Sequence, residues 1–179
     1  MERQLNRVLV FLFAVITVAN AQSSKGDLRS ETQLSGHWVD PSTGLMWAGK
    51  DNGRDVNWRT ATKYCRDLRL GGYSDWRLAT IDELEGIYDI TANAPGLGAG
   101  KRGDKASNWP VKGNLFLTGN QWSSTQRMDV GGRPSGLFWY FDFWNRHKGS
   151  DDGSRFSGRF ANCNRRALCV RLGEWTAKK

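Results

Sequence analysis

Apolar residues recur at helical spacing in one segment of this chain, and capping residues mark where two helices begin. Four residues share one face of the first predicted helix: Trp58, Ala61, Cys65 and Leu68. Asn57 precedes this face and is predicted to be its N-cap. A second helix is predicted to begin at Thr80, because Glu83 follows three residues later and completes a capping box. Between the two helices, GGYSDWRLA predicts a turn and then a short buried strand.

Short apolar runs bounded by turn residues predict strands in the rest of the chain. The first two, HWVD and LMWA, flank the turn PSTG and predict an opening hairpin. Later strands are predicted in LFLT, QWSST, GLFWYFDFW and ALCVRL. Two polar segments without periodicity, residues 91–114 and 145–164, are predicted to be long loops. Loops of this length are usually functional or mobile.

The first 21 residues have the organisation of a secretory signal peptide. Arg3 and Arg7 precede an apolar run over residues 8–18, and a small-x-small cleavage site follows at residues 19–21. The apolar run is too short for a membrane span, which needs about 20 residues. We therefore expect an exported protein, periplasmic or secreted, with no integral membrane segment after cleavage. The expected organisation is a signal peptide (1–21), an N-terminal lead (22–36), a single domain (37–173) and a C-terminal tail (174–179).

Positive charge is concentrated in the second half of the chain. Residues 22–100 carry 9 Lys and Arg against 11 Asp and Glu, a net charge of −2, whereas residues 101–179 carry 15 against 6, a net charge of +9. Such a half would attract an anionic polysaccharide or another cell-surface polymer, and nucleic acid is not the expected partner. The alternative is a solvated surface that keeps an exported protein soluble.

Ten residues are the predicted ligand-binding set. Arginine can bind sulfate or carboxylate bidentately, and tryptophan can stack on sugar faces. The cationic candidates are Arg146, His147, Lys148, Arg155, Arg159, Arg165 and Arg166. The aromatic candidates, taken from nine tryptophans that more often pack in cores, are Trp109, Trp139 and Trp144.

Three cysteines allow one disulfide and leave one thiol over, as expected for an exported protein. Pairing Cys65 with Cys169 is preferred, because Cys65 lies on the apolar helix face and Cys169 lies in a predicted buried strand. That bond would close a loop of about 105 residues. The rival pairing joins Cys163 to Cys169 and closes only a short loop.

Metal and catalytic chemistry find little support in the residues. Neither His37 nor His147 has a cysteine or carboxylate at zinc-ligand spacing. Calcium remains an alternative near Asp142, Asp151 and Asp152, although aspartates beside Gly and Ser are more often turn formers. No cofactor and no catalysis are expected.

Four blocks of the sequence resemble a known family: DPSTGLMW, NWRTATKYCRDLRLGGYSDWRLATIDELEGIYD, QWSST and ALCVRL. In this order they resemble the Lcl C-terminal domain family, a bacterial family named from a collagen-like adhesin and otherwise largely of unknown function. The resemblance runs from about His37 to Leu172. It departs at Ala79, where the family usually has proline, and this difference affects a turn more than any chemistry.

The helix-borne cysteine, LATIDELEGI and the late strand-borne cysteine are more distantly similar to the C-type-lectin-like fold and to formylglycine-generating enzymes. This resemblance implies an α+β domain of two helices packed on small antiparallel sheets, with long loops forming a binding face. It also implies the Cys65–Cys169 bond. The expected function is an adhesin-like module that binds an anionic glycan or another surface polymer through basic loops. The alternatives are an enzyme that uses Cys163 and Cys169, or a structural envelope module.

Overall fold

The structure, a computed structural model, describes residues 35–98, 105–154 and 164–174. The predicted signal peptide and residues 175–179 of the predicted tail lie outside the described residues. Within these ranges the chain is an α+β domain with two helices and several small sheets, and no helix there is long and apolar enough to cross a membrane. The helices are α1 (Trp58–Asp67) and α2 (Ile81–Gly86). The strands are β1 (His37–Val39), β2 (Leu45–Ala48), β3 (Arg77–Leu78), β4 (Ala94–Leu97), β5 (Ala106–Trp109), β6 (Asn120–Met128), β7 (Pro134–Asp142), β8 (His147–Asp151), β9 (Arg165–Arg166) and β10 (Cys169–Leu172).

Both helices begin where their capping residues predict. The side chain of Asn57 accepts a hydrogen bond from the backbone N–H of Thr60 at 2.8 Å, which satisfies one free donor of the first turn of α1. At α2, Thr80 and Glu83 form the reciprocal capping box. Their buried faces contribute Ala61 and Cys65 from α1, and Ile81 and Leu84 from α2.

The last strand lies in the middle of the first sheet, whose order is β1-β2-β10-β3. Val170 pairs with Trp47 of β2, and Cys169 pairs with Leu78 of β3. A disulfide joins Cys65 of α1 to Cys169, with the two Cα atoms 5.3 Å apart. The structure therefore confirms the preferred cysteine pairing, and the bond ties α1 to the central strand.

The second sheet has the order β8-β7-β6-β9 and separates two groups of core side chains. Phe141 of β7 and Phe143 just after it pack into one cluster, whereas Tyr140 and Trp122 contact each other in the other cluster. This alternation is what a strand buried on both faces requires. The β6–β7 hairpin is longer than predicted, since β6 continues to Met128.

The prediction of one long loop over residues 91–114 is wrong. Strands β4 and β5 form an antiparallel hairpin there, with Ala94 opposite Trp109. Trp109 is wholly buried, and Gly96 lies so close to its ring that a Cβ atom would sit 2.5 Å away. The hairpin is held together by the close packing of a glycine against a large ring. Because glycine has no side chain, this packing leaves no periodic apolar pattern in the sequence.

Two further element predictions are corrected. The segment LFLT forms isolated β-bridges at Phe116 and Leu117 and not a strand. Its apolar pattern reflects burial in the core, since Leu115 and Leu117 are buried. Polar residues 147–151, placed in the second predicted loop, form β8, which pairs with β7 along five residues. Pairing with an apolar neighbour stabilises β8 despite its polar composition.

A buried carboxylate joins the segment after β2 to β6. Asp51 accepts hydrogen bonds from the backbone N–H and hydroxyl of Thr118, from the amide of Gln121 and from the backbone N–H of Gly53. Burial raises the pKa of Asp51, and these four donors oppose the shift. The carboxylate thus adds to the backbone hydrogen bonds that join this segment to Phe116 and Ala167.

Candidate functional site

The connection between β7 and β8, named the Trp144 turn (residues 142–147), carries the most exposed aromatic side chain among the predicted ligand residues. Trp144 is 45% exposed, and its ring packs at 5.1 Å, centroid to centroid, against Trp109. Because Trp109 is wholly buried, it cannot itself stack on a ligand. It instead supports Trp144 from below, so that Trp144 presents its remaining surface to solvent.

The Trp144 turn is held by one aspartate. Asp142 accepts hydrogen bonds from the backbone N–H of Trp144 at 2.9 Å and from the side-chain amide of Asn145 at 2.8 Å. The next residue, Arg146, adopts φ +48°, a left-handed conformation that is uncommon for a residue with a Cβ atom. The Asp142 carboxylate, a candidate calcium ligand in the sequence prediction, is therefore already engaged in organising the turn.

Arg146 and His147 bring positive charge to this turn. The Arg146 guanidinium lies 5.3 Å from the ring centroid of Tyr88, which is the distance of a cation–π contact. Arg146 is exposed and, within the described ranges, makes no ion pair. His147 follows it and is also exposed. Tyr88 was missed because it lies far away in the sequence and no local pattern connects it with Arg146.

Lys148 is already paired. Its ammonium contacts Glu85 at 2.5 Å and Asp82 at 3.7 Å, so it attaches β8 to α2. The hydrogen bond to Glu85 raises the pKa of Lys148. Its charge is compensated locally and contributes less to an anion-binding surface than that of Arg146.

Arg165 and Arg166 are also committed to internal contacts. Arg165 binds Asp151 at 2.7 Å and lies 4.0 Å from the ring centroid of Tyr140. Arg166 forms an ion pair with Asp55, and its Nε–H donates to Thr118 at 2.8 Å. Each arginine side chain is only 12% exposed. These contacts tie β9 to the rest of the domain.

The remaining candidates are separated from the Trp144 turn. Trp139 is half-buried on β7, beneath the Arg127 guanidinium at 5.7 Å. Arg127 was missed because the predicted strand stopped short of it. Arg155, Arg159 and Cys163 lie outside the described residues.

The comparisons with known proteins point to one family. The sequence profile of the Lcl C-terminal domain matches residues 36–171. The chain belongs to the Lcl C-terminal domain family. Comparison with the curated proteins and with the solved structures finds no match. In this Lcl C-terminal domain the matched range includes both helices, the disulfide and the Trp144 turn.

The carboxylates proposed as calcium ligands do not converge in this Lcl C-terminal domain. Asp142 pairs with the first residue of β8, whereas Asp151 is its last residue and is bound to Arg165. Four residue steps along the strand, about 13 Å, separate these ends. Among residues 35–98, 105–154 and 164–174, no three His, Cys, Asp or Glu side chains are grouped to hold a metal ion.

Proposed function

We propose that this Lcl C-terminal domain is an exported bacterial ligand-binding module that recognises an anionic glycan or another anionic surface polymer through the Trp144 turn, without catalysis. One observation carries the proposal. Trp144, Arg146 and His147 lie together and exposed on one turn, and Arg146 has no carboxylate partner in the described part of the chain.

The chemistry of this turn suits a sulfated or carboxylated sugar. A guanidinium can donate two parallel hydrogen bonds to a sulfate or carboxylate, and an indole face can cover the apolar face of a sugar ring. Support from Trp109, Asp142 and Tyr88 restricts the turn, so that less conformational entropy is lost on binding. The positive second half of the chain adds long-range attraction.

The proposed site is smaller than the ten residues of the sequence prediction. Arg165 and Arg166 would have to leave partly buried ion pairs before they could bind a ligand, and that exchange offers little gain. Lys148 would have to leave Glu85. We therefore assign binding to Arg146, with Trp144 and His147 beside it.

The test is a direct measurement of affinity for a heparin oligosaccharide at physiological salt. We expect Arg146→Ala to weaken binding about tenfold or more, since a hydrogen bond to a charged group contributes about 1.5–3 kcal/mol. Trp144→Ala should weaken it to a similar degree. Arg59→Ala is the matched control, because it removes the same charge from an exposed position on α1. Equal losses for Arg59→Ala and Arg146→Ala would show that only overall charge matters.

The same proposal includes export and fold type. We propose cleavage after residue 21, which N-terminal sequencing of the mature protein would show as a chain that starts at Gln22. We also propose a C-type-lectin-like architecture, supported by the two helices, the small sheets and the bond from α1 to the last strand. The enzyme alternative is weakened, because Cys169 is bonded to Cys65 and cannot act as a thiol beside Cys163.

A further inference from the structure

A cleft of about 570 Å³ is lined by residues other than those of the Trp144 turn. Three segments form it: the β1–β2 turn, the connection from α2 to β4, and the 3₁₀ turn Lys112–Asn114. This volume lies within the range of ordinary small-molecule sites, about 300–1,000 Å³. We call it the Trp38 cleft, and the lining residues used below are Trp38, Asp40, Ser42, Thr91, Asn93 and Asn114.

The charge of the Trp38 cleft differs from that of the Trp144 turn. Two carboxylates, Asp40 and Asp89, line it together with one ammonium group, Lys112. The carboxylates would repel an anionic ligand, and the ammonium would oppose a cationic one. A neutral ligand meets neither penalty.

The polar groups of the cleft are held in place by local hydrogen bonds. Asp40 accepts from the backbone N–H and hydroxyl of Ser42, and Asp89 accepts from the backbone N–H and hydroxyl of Thr91. Lys112 donates to the carbonyl of Gly86 at 2.8 Å. Asp40 is buried, and its second oxygen accepts from the hydroxyl of Thr43 at 3.0 Å, so this carboxylate fixes the β1–β2 turn that borders the cleft.

The floor of the cleft has an unusual backbone. Gly113 has φ +69° and lies against the indole of Trp38 so closely that a Cβ atom would sit 2.1 Å from the ring. Asn114 follows with φ +56°, again left-handed. Glycine adopts this conformation without steric cost, so only Asn114 is strained, and strain of this kind tends to collect at ligand sites. Asn114 lines the cleft and directly follows the glycine that contacts Trp38.

We propose that the Trp38 cleft is a second binding site, for an uncharged polyhydroxylated ligand such as a neutral sugar unit. Hydroxyl and amide groups from Ser42, Thr91, Asn93 and Asn114 offer both donors and acceptors, as sugar hydroxyls require. Trp38 is 8% exposed and adds a small apolar area to this polar lining. The site is independent of the anion-binding function proposed above, because it shares no residue with the Trp144 turn.

The test is a protein-detected NMR titration of the mature chain with glucose and N-acetylglucosamine. Each charged counterpart, glucuronate and glucosamine, is titrated in parallel. We expect the neutral sugars to shift the Trp38 indole N–H and the side-chain amides of Asn93 and Asn114, with Kd of roughly millimolar order. The charged sugars should bind several-fold more weakly.

Two variants make the site assignment falsifiable. Asn93→Trp places a large ring at an exposed position of the cleft and should abolish the shifts. Asn108→Trp makes the same change at an exposed position on β5 outside the cleft and should retain them. If Asn93→Trp fails to fold, Thr91→Phe fills the cleft from another exposed position.

Several results would overturn the proposal. These are the absence of shifts with both neutral sugars, tighter binding of glucuronate or glucosamine, and equal binding by the filled variant. The two proposed sites are also separable. Arg146→Ala should leave neutral-sugar binding unchanged while it weakens heparin binding, and Asn93→Trp should do the reverse.

Discussion

Loss of the disulfide should remove a large part of the stability of this domain. The bond joins Cys65 to Cys169 across a sequence separation of 104 residues. In the chain-entropy model, a closed loop of this length stabilises the folded state by about 4.7 kcal/mol. Both cysteines are wholly buried, so their replacement by alanine adds about 1 kcal/mol for lost packing. We therefore expect Cys65→Ala with Cys169→Ala to cost about 5–6 kcal/mol.

Equilibrium unfolding in urea would measure this change against a total stability of about 5–15 kcal/mol. The unfolded state of the double variant is less restricted, so its m value should rise together with the fall in stability. The melting temperature should fall by roughly 10–20 °C. Cys163→Ala is the control, because it removes a thiol and leaves the disulfide intact.

A loss below about 1 kcal/mol would refute the chain-entropy argument for this bond. Peptide mapping without reduction provides an independent check. A peptide that joins Cys163 to Cys169 would show that the rival pairing forms, and the magnitude above would then not apply.

Three further predictions concern single residues. Asp51→Asn should cost about 2–4 kcal/mol in urea unfolding, because an amide cannot accept from all four donors. Folding raises the pKa of Asp51 above 3.8. Its contribution to stability should therefore be largest below about pH 3.8 and decline as the pH rises through the pKa of the folded state. The Asp51→Asn variant should lack this trend. Gly96→Ala should lower the stability measured by thermal unfolding by about 2 kcal/mol or more, because its Cβ atom would lie 2.1 Å from a backbone oxygen. Gly98→Ala is the control and should cost much less, because its Cβ atom would lie 3.7 Å from the nearest backbone oxygen. Arg165→Ala should lower the free energy of unfolding by about 2–3 kcal/mol, because it removes the contacts with Asp151 and Tyr140. A urea unfolding midpoint near that of the wild type would contradict this expectation.

Local chemistry made the helices predictable. Asn57 and the Thr80–Glu83 box lie within a few residues of the backbone groups that they satisfy, so the sequence contains the whole interaction. The opening hairpin was predictable for the same reason. The disulfide was preferred correctly, because each cysteine lies in an element whose buried face the local pattern identified.

Elements that depend on distant partners were mispredicted. The β4–β5 hairpin depends on Trp109 and the close approach of Gly96, and β8 depends on pairing with β7. Neither arrangement produces apolar alternation. A polar segment beside an apolar strand therefore looks like a loop until its neighbour is known.

The candidate site divides along the same line. The amino-acid sequence alone shows which residues carry positive charge and that they concentrate in the second half of the chain. Which of these charges are compensated depends on the folded chain, because Arg165 binds Asp151 while Arg146 contacts the ring of Tyr88. Ion pairs and ring contacts depend on distances between segments remote in sequence, and those distances exist only once the chain has folded.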